Sequence, residues 1–126
     1  MLDRELPKSI KRILRELSIK AHEEELRLAL IPLSQAFDQW RIGSIGSGDL
    51  TELIHEFHQK SARELFVRYN QGFLTANVAS AVARGVISKD DVPPEAMPYL
   101  EAMISFYSEE AVEDEGETSV VEKNRK

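Results

Sequence analysis

Gly43, Ile45, Asp49 and Leu50 recur at the same internal spacing as Gly85, Ile87, Asp91 and Val92. In both places a helical pattern ends at a glycine, a short polar stretch carries one isoleucine, and a new helical pattern opens beyond an aspartate. Glycine suits the left-handed residue that closes a helix, isoleucine can plug a core, and an acid near the next N-terminus complements its dipole. A chain with this junction written twice is built from helices that stop, turn and restart, so helical hairpins are the expected unit.

Helical periodicity also dominates between the junctions, and strand alternation is absent. Within residues 8–30, Ile10, Ile13, Leu14, Leu17, Ala21 and Leu28 follow the i, i+3, i+4, i+7 pattern of an amphipathic helix. Its opposite face carries Arg4, Lys8, Lys11, Arg12 and Arg15 within a sector roughly 100° wide. At His22-Glu23-Glu24-Glu25 the apolar stripe changes phase. Leu26, Ala29, Leu30, Leu33, Phe37 and Trp40 form a second helical series on another side of the same wheel. Either the helix breaks at the charged run, or one long helix buries two sides against two neighbours. Pro32 is expected to kink it.

Gly43–Gly48 reads as a loop. The next helix is expected from Asp49 to about Asn70 on Leu50, Leu53, Ile54, Phe57, Ser61, Leu65 and Tyr69. Its outer side carries Glu56, Lys60, Glu64 and Arg68, an alternating i, i+4 series worth roughly 0.2 to 0.5 kcal/mol per pair. A short alanine-rich helix over Phe73–Arg84 turns Leu74, Val78, Ala81 and Val82 inward, and a last one over about 95–109 uses Met97, Leu100, Met103, Ile104 and Tyr107. The spacing of the junctions also superposes Ala36 on Val78, Trp40 on Val82, Phe57 on Tyr99 and Leu65 on Tyr107, as two matched hairpins would. Residues 109–126 hold seven acidic and three basic residues without apolar period, and read as a disordered tail.

Glycine, isoleucine and acid in this order resemble the second half of an EF-hand calcium loop. Counting back from Gly43, however, the third and fifth ligand positions are Trp40 and Ile42. From Gly85 the first, third and fifth are Ser80, Val82 and Arg84. Calcium requires six to eight oxygens, which these loops do not supply. Glu52 and His55 have the Glu-x-x-His spacing of di-iron bundles, with His58 one turn later, but no second such motif exists, so packing is expected of His58. No metal or cofactor is expected. Arg15 and His22 fit the loose spacing of the HEPN ribonucleases, an all-helical class. That family sets its pair at the start of a late helix, whereas here it lies early in the chain.

With 126 residues, 42% of them hydrophobic, and no cysteine, the chain has the makings of one helical core and no disulfide staple. No apolar run approaches the roughly 18 residues of a membrane span. A net charge of −6 disfavours nonspecific coating of nucleic acid and leaves only the local basic face for it. The reading is an all-α, compact four- or five-helix bundle over residues 1–108 followed by the acidic tail 109–126. The expected function is a non-enzymatic, cytoplasmic protein–protein interaction or assembly module, away from the membrane, homo-oligomeric through the N-terminal helix stripe Ile10, Ile13, Leu14 and Leu17. A nucleic-acid-associated regulator using the basic face, or a HEPN-like ribonuclease, are the alternatives.

Overall fold

The computed structural model describes residues 3–110, which are all-α with no strand among them. After a 3-10 turn at Asp3–Glu5 come α1 (Lys8–Arg41), α2 (Ser47–Glu56), a π-helical turn (Phe57–Ala62), α3 (Arg63–Tyr69) and α4 (Leu74–Ala83). Two further 3-10 turns, Lys89–Asp91 and Met97–Tyr99, lead to α5, residues 101–110. The expected disorder of the acidic tail falls on residues outside those described, beyond 110; positions 109 and 110 belong to α5.

Helix α1 organises the chain. It runs unbroken for 34 residues through the charged run and through Pro32, so the phase switch marks no break in the helix. Its first half carries Ile10, Leu14, Leu17 and Ala21 into a core shared with Val78, Ala79, Ala81 and Val82 of α4 and with Ile87, Val92, Ala96, Leu100 and Ile104. This is the body of the molecule. The second half leaves the body and pairs with α2, the π turn and α3 in a two-helix arm. Within the arm only Ala36, Leu50 and Leu65 are buried.

The apolar stripe Ile10, Ile13, Leu14 and Leu17 was the expected oligomer contact. Ile10, Leu14 and Leu17 are buried in the chain's own core and Ile13 packs against it, so the stripe has little area to offer a partner. A body of this size needs that area for itself, because burial of such side chains stabilises by about 1.5 to 3 kcal/mol each.

Both junctions close in the same way. Gly43 and Gly85 take φ of +82° and +77°. Gly43 N–H donates to Trp40 O at 3.1 Å and Ser44 N–H to Gln39 O at 2.8 Å; the equivalent pair, Gly85 to Val82 O and Val86 to Ala81 O, measures 3.1 and 2.9 Å. This double closure satisfies carbonyls that the last helical turn leaves open. Beyond each glycine the aspartate folds back: Gly46 N–H donates to Asp49 Oδ2 and Ser88 N–H to Asp91 Oδ2, both at 3.1 Å. The first restart begins at Ser47, two residues earlier than expected, with Gly46 as its cap.

The likeness ends there. Val92, Pro93 and Pro94 follow the second aspartate, and proline disfavours helical backbone in the residue before it, so that restart is one 3-10 turn. The last α-helix accordingly opens at residue 101 rather than 95. The hairpins are therefore not matched in length, although Val92, Ala96, Leu100 and Ile104 still reach the core at every fourth position.

The π turn is the other departure from expectation. Phe57 and Ala62, five residues apart, face α1 partly buried, and Ser61, the expected inward residue, is exposed. A turn closed by i to i+5 bonding carries the inner side across that step, where a regular helix would present Ser61.

No atom lies within 4 Å of a Cβ added at Gly43 or Gly85, so a substitution there meets only backbone strain. Gly43→Ala and Gly85→Ala are each expected to lose about 1 to 2 kcal/mol in urea unfolding, since left-handed backbone costs an L-residue that much. Equal stability of both variants to the parent would contradict the closure described.

Candidate interaction site

Where the arm leaves the body, Glu25 sits among three helices with its side chain only 9% exposed. Four residues past Ala21, it occupies the position at which the core stripe of α1 would continue. Its Oε1 pairs with Arg84 at the end of α4, and its Oε2 accepts from Arg68 of α3 at 3.3 Å. Arg84 Nε is steadied by Ser80 Oγ at 3.0 Å, and Asn77 Nδ2 donates to Arg68 O at 2.8 Å. One carboxylate thus clasps arm and body together. Arg68, expected on a solvated face with Glu64, is drawn into this clasp.

Beside it, His22 stacks on Tyr69 with ring centroids 5.0 Å apart and planes 15° from parallel. The Tyr69 hydroxyl is buried without a well-formed hydrogen bond among the described residues. Burial first, and then the Glu25 carboxylate, push its pKa up to about 12, while Arg84 opposes them. The phenol is accordingly held in its neutral form.

A second clasp ties the N-terminus to α4. Asp3 Oδ2 accepts from Leu74 N–H at 2.7 Å, and its Oδ1 accepts from Thr75 N–H at 3.1 Å and Thr75 Oγ1 at 2.6 Å. Partial burial raises the Asp3 pKa, but the bonds from Thr75 and Leu74, with Lys11 nearby, hold it below the usual 3.8. A carboxylate brought from the other end of the chain does the work of a helix cap.

The expected basic face stays at the surface. Lys8, Arg12 and Arg15 are exposed and Lys11 is half-buried, and none of these four forms an ion pair among the described residues; Arg4 lies in the first 3-10 turn. At 100° per residue, Lys8, Arg12, Arg15, Ile19, Leu26, Leu30, Leu33 and Phe37 fall in one sector about 60° wide. This ridge is basic along the body and apolar along the arm. Ile19 is 70% exposed and Leu30 44%.

Arg15 and His22 lie on one side of α1, separated by about 10 Å of helix rise. The ring of His22 is engaged by Tyr69 rather than by a second catalytic group. His55 and His58 are both exposed, which corrects the expected packing of His58. Among the described residues no group of three or more His, Asp or Glu side chains could hold a metal ion. No helix among them is long and apolar enough to cross a membrane.

Two grooves run along the arm. One, of about 290 Å³, has Ala29, Pro32 and Ala36 on α1 facing Leu53, Glu56 and Lys60. The other, of about 470 Å³ and nearer the body, has Leu26, Ala62 and Phe66 with His22, His58 and Arg63. Leu30 lies one turn beyond Leu26 and Ile54 one turn before His58, so both extend the second flank towards the arm's tip. Comparison with known proteins finds no matching family model and no similar curated protein or solved structure.

Glu25 is nine-tenths buried beside partners that are 35% and 47% exposed. Glu25→Ala is expected to cost about 2 to 3 kcal/mol in urea unfolding, less than a fully buried pair because solvent screens both arginines. A loss under 0.5 kcal/mol would show that the clasp holds nothing.

Asp3→Ala is expected to lose about 1 kcal/mol at pH 7, as removal of a helix cap does. Because the folded pKa is lowered, that contribution is complete above pH 3.8 and is lost as pH falls through the folded value. The gap between parent and variant should narrow in acid unfolding as pH falls from 3.8 and close only below the lowered folded value; a gap that does not narrow would rule out the carboxylate as its source.

Proposed function

We propose that this chain is a non-enzymatic helical assembly module that pairs with a second copy through the arm. The observation that carries the reading is the imbalance between the two halves of the molecule. The body encloses a packed core, whereas the arm buries only Ala36, Leu50 and Leu65 and leaves Leu28, Leu30, Ile31, Leu53, Ile54, Phe66 and Val67 at least 40% exposed. Two helices supply only one contact seam. A pair of arms laid flank to flank makes a four-helix bundle, in which Leu30, Ile54 and Phe66 find a common interior.

The dimensions fit. Twenty residues of α1 give an arm about 30 Å long, and two helices make it about 20 Å wide. A flank of on the order of 600 Å², enlarged by side-chain relief, approaches the roughly 800 Å² per partner of a stable interface. The flank bearing Leu26, Leu30, Ile54 and Phe66 is the one turned away from α4, whose Arg84 approaches α1 from the side of Glu25. A two-fold axis presents the same patch from both copies, so one apolar flank suffices.

A second reading has its own support. Lys8, Arg12 and Arg15 have no ion-pair partners among the described residues, and in a pair of chains two such strips attract a polyanion more strongly than one.

Sedimentation equilibrium is expected to show a dimer, and Leu30→Glu with Ile54→Glu a monomer of unchanged helicity. Because the parent has no cysteine, Leu30→Cys provides a separate check: oxidation should yield a covalent dimer. A parent that stays monomeric at all accessible concentrations would overturn the reading.

A further inference from the structure

The groove at the root of the arm shares Leu26 and Phe66 with the pairing flank, but its polar residues have no part in pairing. It is lined by the apolar Leu26, Ala62 and Phe66 and the polar His22, His58, Gln59 and Arg63. No acidic side chain lines it, and Arg63 has no ion pair among the described residues. The other groove of the arm differs: Glu56 and Lys60 bring both signs of charge to it. At about 470 Å³ the root groove falls within the range of small-molecule sites, which join an apolar lining to a few convergent polar groups.

The backbone supplies an independent observation. His58 and Ala62 belong to the π turn Phe57–Ala62, and Arg63 and Phe66 follow it directly. π turns are rare, well under 1% of residues, and occur often at functional sites. In a regular helix one residue fewer would rotate everything downstream by about 100°, separating Arg63 and Phe66 from the flank of His58. The irregular turn thus brings Arg63 and the apolar Phe66 to the groove that His58 lines.

We propose that this groove binds a small carboxylate with an apolar body. The carboxylate meets the Arg63 guanidinium and an imidazole N–H of His58, and the apolar body lies over Leu26 and Phe66. Arg63 fits this role because a guanidinium presents paired donors to a carboxylate, and no protein acid takes them up among the described residues. Leu26 and Phe66 also belong to the pairing flank, so the groove is open in the unpaired chain and a ligand there competes with the second copy.

Octanoate, with octanol as its neutral counterpart, tests the site on the full chain. Calorimetry and the imidazole proton resonances should report saturable octanoate binding that shifts both His22 and His58. Arg63→Gln should weaken octanoate about tenfold, the scale of one lost charge-assisted contact, and leave octanol unchanged. Phe66→Ala should weaken both probes, and the Leu30→Glu, Ile54→Glu double variant should bind octanoate at least as tightly as the parent, because no second copy then covers Leu26 and Phe66. Arg63 and Phe66 are exposed, so neither substitution disturbs a core. Absence of saturable binding, octanol binding as tightly as octanoate, or indifference to Arg63→Gln would each overturn the proposal. So would a Phe66→Ala variant that loses only self-association, because a second copy would then be the groove's occupant.

Discussion

A single helix that must bury two different sides sets the form of this molecule. Apolar residues in α1 face α4 over the first half and α2–α3 over the second, and the unbroken backbone fixes the angle between those directions. Body and arm are thus not independent lobes joined by a linker. They are two packing problems solved on one rod, and the place where one gives way to the other is Glu25. An apolar residue there would be compatible with either half. A glutamate between two arginines also requires that α3 and α4 arrive with their charges in position, which ties the order of the helices around α1 to a single arrangement.

Much of this was legible in the sequence. The stripe through Ile10, Leu14, Leu17 and Ala21 and the inward set of α4 follow from periodicity and face inward, whereas the second stripe from Leu26 to Trp40 shares one helical face yet leaves Leu30 and Trp40 at least 40% exposed. Which of the two α1 stripes is left at the surface did not follow, because periodicity identifies a face without naming its neighbour. The residues of the two clasps were hidden for different reasons. Glu25 carried a signal, a charge on the fourth residue after Ala21 in a core stripe. Asp3 carried none, because its partners Leu74 and Thr75 are remote in sequence and use backbone donors that no residue type reveals. The π turn was equally hidden: Ser61 and Ala62 are both small, and the pattern gives no reason to prefer the step of five over the step of four.

The twin junctions show how local chemistry and wider context divide the work. Gly43 and Gly85 close their helices through the same bonds, and Asp49 and Asp91 cap the same backbone position beyond them. What differs lies immediately downstream, where Leu50 begins a long helix and Val92 runs into two prolines. Asp91 has an added role: its Oδ1 pairs with Lys20 of α1 at 3.0 Å, which fastens the second junction to the rod. The first junction stands at the free end of the arm, held by the bond from Trp40 Nε1 to Ser47 Oγ at 3.0 Å. One motif thus serves once as a tip and once as an anchor.

Pro32 lies in the middle of the arm's share of α1. Having no N–H, it leaves the Leu28 carbonyl without its helical donor, and the rod is least stiff at that turn. Any bending of the rod is expected there, between the root of the arm and its tip, rather than at Glu25. A load applied at the tip would tilt Leu33–Arg41 and the start of α2 as one piece before it reached the body. The missing bond lies seven residues beyond Glu25, so the weakest turn of the rod and its clasp are kept apart.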